Sequence, residues 1–226
     1  MRLVRLATCA ALAGSLLVVG VSEAKTKPVC NLVTDAAGDA NQLNALPPVP
    51  STTIPAGSSD DAFDITSLDV ASDKTNVTGV IRVKALSASS QYAPMGSNWS
   101  ISFTVDAATL TLAAHASATG TITYDGSYAA ATGGSLYPGY LTGAFDKAKN
   151  EVRITAPLSL FAAQASIKSG TKLTAISGSA GQEVAIPEAT GKLGGGTFLS
   201  DANSTDTAGG GQDYTAGASS CVVVGK

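Results

Sequence analysis

Two short acidic segments contain the side chains best suited to bind a metal ion. The first holds Asp35 and Asp39, and the second holds Asp201, Asn203 and Asp206. Carboxylate and carbonyl oxygens are the ligands that Ca²⁺ prefers, and it takes roughly six to eight of them. Neither segment has the spacing of an EF-hand loop, and turn aspartates also bond to nearby backbone amides. Two interpretations stay open: a structural calcium site built from Asp35, Asp39, Asp201 and Asp206, or ordinary Asx turns.

Tyrosines form a second candidate site. Tyr128, Tyr137 and Tyr140 lie close together in a glycine-rich segment. Aromatic rings can stack on the faces of sugars, and a loop on a rigid scaffold can present them. We therefore expect these three tyrosines to bind carbohydrate. The alternative is that Tyr140, like Tyr124, is a strand residue at the rim of the fold, and Trp99 is expected in the core because it is in phase with the apolar positions of its strand.

The residues that could carry out catalysis are few. His115 is the one histidine of the chain, and it ends an apolar stretch. We expect it to be a surface or capped strand residue rather than a general base. The sequence contains neither a Gly-x-Ser-x-Gly nucleophile elbow nor a clustered histidine and cysteine metal pattern. We therefore expect no enzymatic activity.

Composition excludes further classes of function. The chain has 14 Lys and Arg residues against 17 Asp and Glu residues, which gives a net charge of −3. No excess of cations is present to neutralise phosphates, so nucleic acid is not an expected partner. Charged residues make up 14% of the chain and apolar residues 44%. The low charge argues against long charged helices, and with the near-normal apolar content it argues against disorder.

The N-terminal segment predicts export. Arg2 and Arg5 precede an apolar run from Leu6 to Val21, and small residues follow at Ser22 and Ala24. This is the pattern of a secretory signal peptide, with cleavage expected after Ala24. Residues 1–24 would then be removed, and residues 25–226 would form a single extracellular domain. The apolar run is short for a bilayer span and no later run approaches that length, so no membrane span is expected in the mature chain.

Cys30 and Cys221 are the two cysteines that remain after that cleavage. Exported proteins meet an oxidising compartment, where two thiols tend to pair. We therefore expect a disulfide between Cys30 and Cys221 that joins the two ends of the chain. Two free thiols or an intermolecular bond are the alternatives. In the chain-entropy model, closing so long a loop stabilises the fold by about 5 kcal/mol.

Alternation of apolar and polar residues predicts the elements that would position these sites. The clearest strands are 77–84, 99–106 and 151–156, and weaker candidates are 63–70, 110–115, 119–124, 139–145, 172–178, 182–186 and 212–224. One short helix is expected at 158–163, and loops are expected at 41–60 and 187–211. The pattern predicts an all-β fold: an antiparallel β-sandwich of jelly-roll or immunoglobulin-like two-sheet architecture, with one short helix.

Three parts of the sequence resemble a known group of exported domains. They are Asp35–Ala40, the strand pair within Asp64–Val83, and Leu141–Leu158. Together they are similar to the secreted bacterial β-sandwiches of the DOMON and family 9 carbohydrate-binding-module group, over most of residues 31–224. The resemblance implies a two-sheet sandwich, with sugar or haem as ligands of different members. Haem-binding members use one Met and one His, which would be Met95 and His115 here, but nothing in the sequence brings the two together and we expect no haem.

The sequence thus predicts a secreted, non-catalytic β-sandwich that binds carbohydrate at the cell surface or outside the cell. The alternative is a structural or protein-interaction module without a small-molecule ligand, stabilised by calcium. Expected partners are a polysaccharide or a cell-surface protein.

Overall fold

The computed structural model describes residues 27–40, 61–87, 96–117, 119–130, 133–137, 141–163, 165–185, 198–199 and 204–226. Its strands are β1 (Val33–Thr34), β2 (Ile65–Ser72), β3 (Asn76–Val83), β4 (Gly96–Val105), β5 (Ala108–Ala116), β6 (Ile122–Ala130), β7 (Gly133–Tyr137), β8 (Thr142–Asp146), β9 (Glu151–Pro157), β10 (Lys172–Ala185), β11 (Phe198–Leu199), β12 (Ser204–Ala208) and β13 (Tyr214–Thr215). A single 3₁₀ turn at Leu158–Leu160 stands where a short helix is expected. Within the described ranges, no helix is long and apolar enough to cross a membrane.

The strands form two antiparallel sheets, which confirms the all-β sandwich. The smaller sheet has the order β1-β2-β3-β9-β8. The larger sheet runs β11-β10-β4-β5-β6-β7, and β12 and β13 also pair with β10. Strand β10 therefore pairs with β4 along one edge and with three short strands along the other.

The core lies between the two sheets. In β4 the buried residues Trp99, Ile101 and Phe103 alternate with half-exposed serines and threonines, as the sequence pattern predicts. The indole of Trp99 donates a hydrogen bond to the carbonyl of Ala62 at 2.8 Å, so its one polar group is satisfied inside the core. Further core side chains come from both sheets: Leu68, Val77, Ile81, Leu110, Leu112, Val152 and Ile154.

The sheets come especially close where β10 faces β2. A methyl group placed on Gly178 would lie 2.8 and 2.9 Å from the two Cδ atoms of Leu68. No ordinary contact is that short, so any side chain at this position would displace the buried Leu68. Gly79 of β3 is in the same situation, because a methyl group placed on it would lie 2.5 Å from the Cγ2 atom of Ile101.

Several predicted boundaries need correction. Two predicted strands, 172–178 and the described residues 182–185 of 182–186, form the one strand β10, because Gly178 and Gly181 pair on both edges instead of turning the chain. The predicted loop 187–211 contains β11 and β12, which form because both pair with β10. Of the predicted strand 212–224 only β13 forms, since Gly217 has a φ of +79° and turns the chain. The predicted loop 41–60 lies outside the described residues.

The two ends of the described chain meet beside β1. Cys30 and Cys221 lie at disulfide distance, as predicted, with Cα atoms 5.3 Å apart and a sequence separation of 191. The amide of Cys221 donates to the carbonyl of Val29 at 3.2 Å, and that of Gln212 donates to the carbonyl of Leu32 at 2.7 Å. The C-terminal segment thus lies along the N-terminal one.

Candidate cation site

A tight turn after β1 positions the first two aspartates. The amide of Asp35 donates to the carbonyl of Thr66 at 3.1 Å, which prolongs the pairing of β1 with β2. Gly38, with a φ of +98°, adopts the left-handed conformation that the turn needs. Asp35 and Asp39 therefore lie on the same turn, Asp35 half-buried and Asp39 exposed.

Strand β12 supplies the third aspartate. Asp206 is 8% exposed and lies opposite Ala180 of β10. Its Oδ2 accepts a hydrogen bond from the amide of Ile65 at 2.6 Å, and its Oδ1 accepts one from the amide of Thr207 at 2.7 Å. The first of these bonds fixes the carboxylate against the start of β2.

The carboxylates of Asp35, Asp39 and Asp206 converge, and we name these three residues the acidic cluster. One carboxylate oxygen from each lies within 4.8 Å of the others. Ligands on opposite sides of a Ca²⁺ ion are about 4.6–5.2 Å apart, since each Ca–O distance is about 2.3–2.6 Å. One ion could therefore reach all three side chains. Asp201, the fourth predicted ligand, lies outside the described residues.

The electrostatics of the acidic cluster favour a cation. Burial raises the pKa of Asp206, and the nearby charges of Asp35 and Asp39 raise it further, against the lowering effect of its two backbone hydrogen bonds. The Oδ2 atom of Asp35 is buried and has no hydrogen-bond partner among the described residues. Close like charges disfavour the ionised form of Asp206 unless a positive charge is present. The unpartnered Asp35 oxygen is a further polar atom that a cation would satisfy.

One nearby residue was not indicated by the sequence pattern. Asp64 directly precedes β2, and its Oδ2 accepts a hydrogen bond from the amide of Gly38 at 2.7 Å. It thereby contacts the turn that carries Asp35 and Asp39. The signal that could have found it is its setting between Phe63 and Ile65, because a carboxylate flanked by core residues needs a partner.

The predicted tyrosine site lies largely outside the described side chains, so it stays a prediction. Tyr128 is half-buried in β6, lies opposite Leu110 of β5 and packs against the core. Tyr137 lies in β7 opposite Gly126, and its side chain is not described. Tyr140 lies outside the described residues. Among the described side chains no aromatic ring is exposed.

Two other polar groups are structural in character. His115 is 6% exposed rather than at the surface, with Nε2 3.0 Å from Asp125 Oδ2 and Nδ1 3.1 Å from Asn98 Nδ2. Arg82 of β3 is half-buried and pairs with Asp69 at 2.6 Å and Glu151 at 2.7 Å. Its charge is therefore neutralised within the smaller sheet. Met95, the other predicted haem ligand, lies outside the described residues.

Comparison with known proteins adds no relative. The chain matches no protein-family model, no curated protein and no solved structure. The resemblance to the DOMON and family 9 carbohydrate-binding-module group therefore stays a prediction, and any functional proposal depends on the geometry described above.

Proposed function

We propose that this chain is an exported, non-catalytic β-sandwich that binds Ca²⁺ and serves outside the cytoplasm as a structural or protein-interaction module. The observation that carries the proposal is the convergence of Asp35, Asp39 and Asp206 within 4.8 Å. Export is supported by the signal-peptide pattern of residues 1–24 and by two cysteines at disulfide distance.

The ion would join parts of the chain that are far apart in sequence. Asp35 and Asp39 belong to the turn after β1, whereas Asp206 belongs to β12 on the edge of the larger sheet. An ion bound only by the folded protein stabilises it by mass action. Calcium here would therefore fasten the N-terminal turn to the edge of the sandwich.

Carbohydrate binding has weaker support than calcium binding. Of its three predicted residues, the one whose side chain is described, Tyr128, packs against the core. Sugar recognition commonly needs an accessible ring face. A polysaccharide partner therefore remains a prediction from the sequence, whereas the acidic cluster has a described geometry.

Thermal unfolding of the protein with and without Ca²⁺ tests the proposal. With a dissociation constant of about 10⁻⁴ M, typical of extracellular calcium modules, 10 mM Ca²⁺ adds about 2.7 kcal/mol of stability. For a domain of about 200 residues this raises Tm by roughly 5–10 °C over the chelator-treated protein. The Asp206→Asn variant should lose most of that rise.

The exposed Asp213 provides a matched control. Asp213→Asn removes one carboxylate that does not belong to the acidic cluster and should keep the full calcium response. A Tm that is the same in Ca²⁺ and in chelator for the unaltered protein would refute the proposal. So would an equal response in the Asp206→Asn variant.

A further inference from the structure

Asp64 is a buried carboxylate whose charge is incompletely compensated. It is 0% exposed, and its Oδ2 accepts a hydrogen bond from the backbone amide of Gly38. Its Oδ1 has no hydrogen-bond partner within the described part of the chain. The ammonium group of Lys84 is 3.9 Å from Oδ2 and lies closer to Asp61, at 2.8 Å. A buried carboxylate oxygen without a partner is costly, so its position calls for a positive charge.

The place of Asp64 in the fold points to the acidic cluster. Its Oδ2 contacts Gly38, which lies between Asp35 and Asp39 on the turn. The amide of the next residue, Ile65, donates to Asp206 at 2.6 Å. Asp64 therefore lies between the two segments that supply the clustered carboxylates. It contacts the turn directly through Gly38, and its neighbour Ile65 contacts Asp206.

A second oxygen in the same place is also unpaired. Asp35 uses Oδ1 to accept a hydrogen bond from the amide of Ala36, while its Oδ2 is buried without a partner among the described residues. Two carboxylate oxygens without a described partner thus belong to two segments that contact each other at Gly38. Such oxygens are rare in folded proteins unless an ion or water satisfies them.

We infer that Asp64 is a further ligand of the cation held by Asp35, Asp39 and Asp206. The mutual 4.8 Å separation holds for those three carboxylates and does not include Asp64, so Asp64 reaches the ion by a side-chain rotation that brings its unpaired Oδ1 toward it. The inference depends on the proposed calcium function and adds the residue that anchors the ion from the core side. Four carboxylates from three segments would favour Ca²⁺, which accepts many oxygen ligands in flexible geometry, over Mg²⁺, which requires a near-ideal octahedron.

Calcium titration of Asp64→Asn tests the inference, with Asp61→Asn as its control. Both changes remove one carboxylate from the same segment, but the Asp61 side chain is 48% exposed and pairs with Lys84. We expect Asp64→Asn to weaken Ca²⁺ binding about 10- to 100-fold, a loss common when a carboxylate that supports a metal site is removed. Asp61→Asn should change it less than about threefold, since exposed charges are screened.

The stability of the metal-free protein separates a ligand from a merely structural residue. If Asp64 binds the ion, the Asp64→Asn change removes an unpaired charge, so Tm in chelator stays the same or rises while the gain from Ca²⁺ shrinks. Equal losses of Tm in chelator and in Ca²⁺ would show that Asp64 only holds the turn, and would overturn the inference. Equal weakening of binding by Asp61→Asn and Asp64→Asn would overturn it as well.

The unaltered protein offers a second measurement that does not depend on a variant folding. The side-chain carboxyl ¹³C resonance of Asp64 should shift on addition of Ca²⁺ in step with those of Asp35, Asp39 and Asp206. An Asp64 signal that stays fixed while the other three move would overturn this inference and leave the calcium function standing. No calcium response in any of the four would overturn both.

Discussion

At the level of single residues, the carboxylates of this protein fall into two groups, those whose oxygens are all paired and those that keep an unpaired oxygen. Asp69 accepts hydrogen bonds from Arg82 at 2.6 Å and from the amide of Leu32 at 3.1 Å, so both its oxygens are paired. Glu151 is paired with both Arg82 and Arg153. Asp35 and Asp64, in contrast, each keep an oxygen without a described partner. In the first arrangement the buried charges compensate one another, so removal of one partner would be costly, whereas the second arrangement is suited to an added cation.

Glu151 gives the smaller sheet a predictable pH dependence. Burial alone would raise its pKa, but hydrogen bonds from Arg153 and Arg82 and their charges outweigh burial and lower the pKa. A carboxyl with a lowered pKa in the folded state contributes stability above its unfolded pKa of about 4.3, and that stability is lost as pH falls through the folded value. We therefore expect urea unfolding to show a fall in stability below about pH 4.3 that is smaller in Glu151→Gln.

Asp213→Asn serves as the comparison for this experiment, because its exposed side chain belongs to no described ion pair. Its stability should follow that of the unaltered protein at every pH. An acid-induced loss of the same size in Glu151→Gln and in the unaltered protein would show that the paired glutamate does not govern this transition.

The candidate cation site could be predicted only in part from the residue types and their spacing in the sequence. Asp35, Asp39 and Asp206 stand in polar, turn-like segments, where residue type and spacing suggest metal ligands. Asp64 stands at the start of an apolar strand, and no local pattern reveals that the turn around Gly38 folds back onto it. Such a long-range contact depends on the pairing of β1 with β2, which involves only two residues of β1.

At the level of elements, the clearest alternating patterns gave the most accurate predictions. Strands β3, β4 and β9 were expected within a few residues of their observed bounds, because the residue types of each alternate between apolar and polar. In β4 the burial alternates as well, whereas β3 and β9 are buried along most of their length. Short edge strands such as β12 bury little apolar surface and take their stability from pairing with β10. A single sequence does not display such pairing, so these strands were predicted as loop.

Gly178 of β10 provides an element-scale test of sheet packing. Gly178→Ala should lower the free energy of unfolding by about 1–3 kcal/mol, because its methyl group would collide with Leu68 and force the sheets apart. Gly209→Ala is the matched control, since its methyl group would lie 3.6 Å from Ser177 Cβ, an ordinary contact. Urea unfolding measures both, and a Gly178→Ala protein as stable as Gly209→Ala would contradict the close approach.

On the scale of the whole molecule, both ends of the described chain are fixed at one place. Val29 bridges to Ser220 in parallel, Gln212 bonds to Leu32, and the two cysteines lie beside these contacts. The small cluster of Ala71, Val80 and Val222 continues the contact across the outer face of the smaller sheet. The disulfide between Cys30 and Cys221 could be predicted from export and from the number of cysteines. The backbone contacts around it could not be predicted from the sequence.

Removal of the disulfide should weaken the whole fold. We expect the Cys30→Ser, Cys221→Ser double variant to lose up to about 5 kcal/mol of unfolding free energy, because the unfolded chain regains the entropy of a long open loop. Chemical unfolding measures the loss, and thiol titration of the folded, untreated protein provides the control. Two reactive thiols in that titration, or a double variant of undiminished stability, would contradict the expected bond.

The same cross-link decides how the protein would respond to tension. Force applied to the chain on either side of Cys30 and Cys221 would pass from one sulfur to the other, across Cα atoms 5.3 Å apart, and bypass the segment of 191 sequence steps that they enclose. The sheets would then carry almost no load until the link is reduced. A reductant would thus release a long stretch of extensible chain, whereas pulling alone would not.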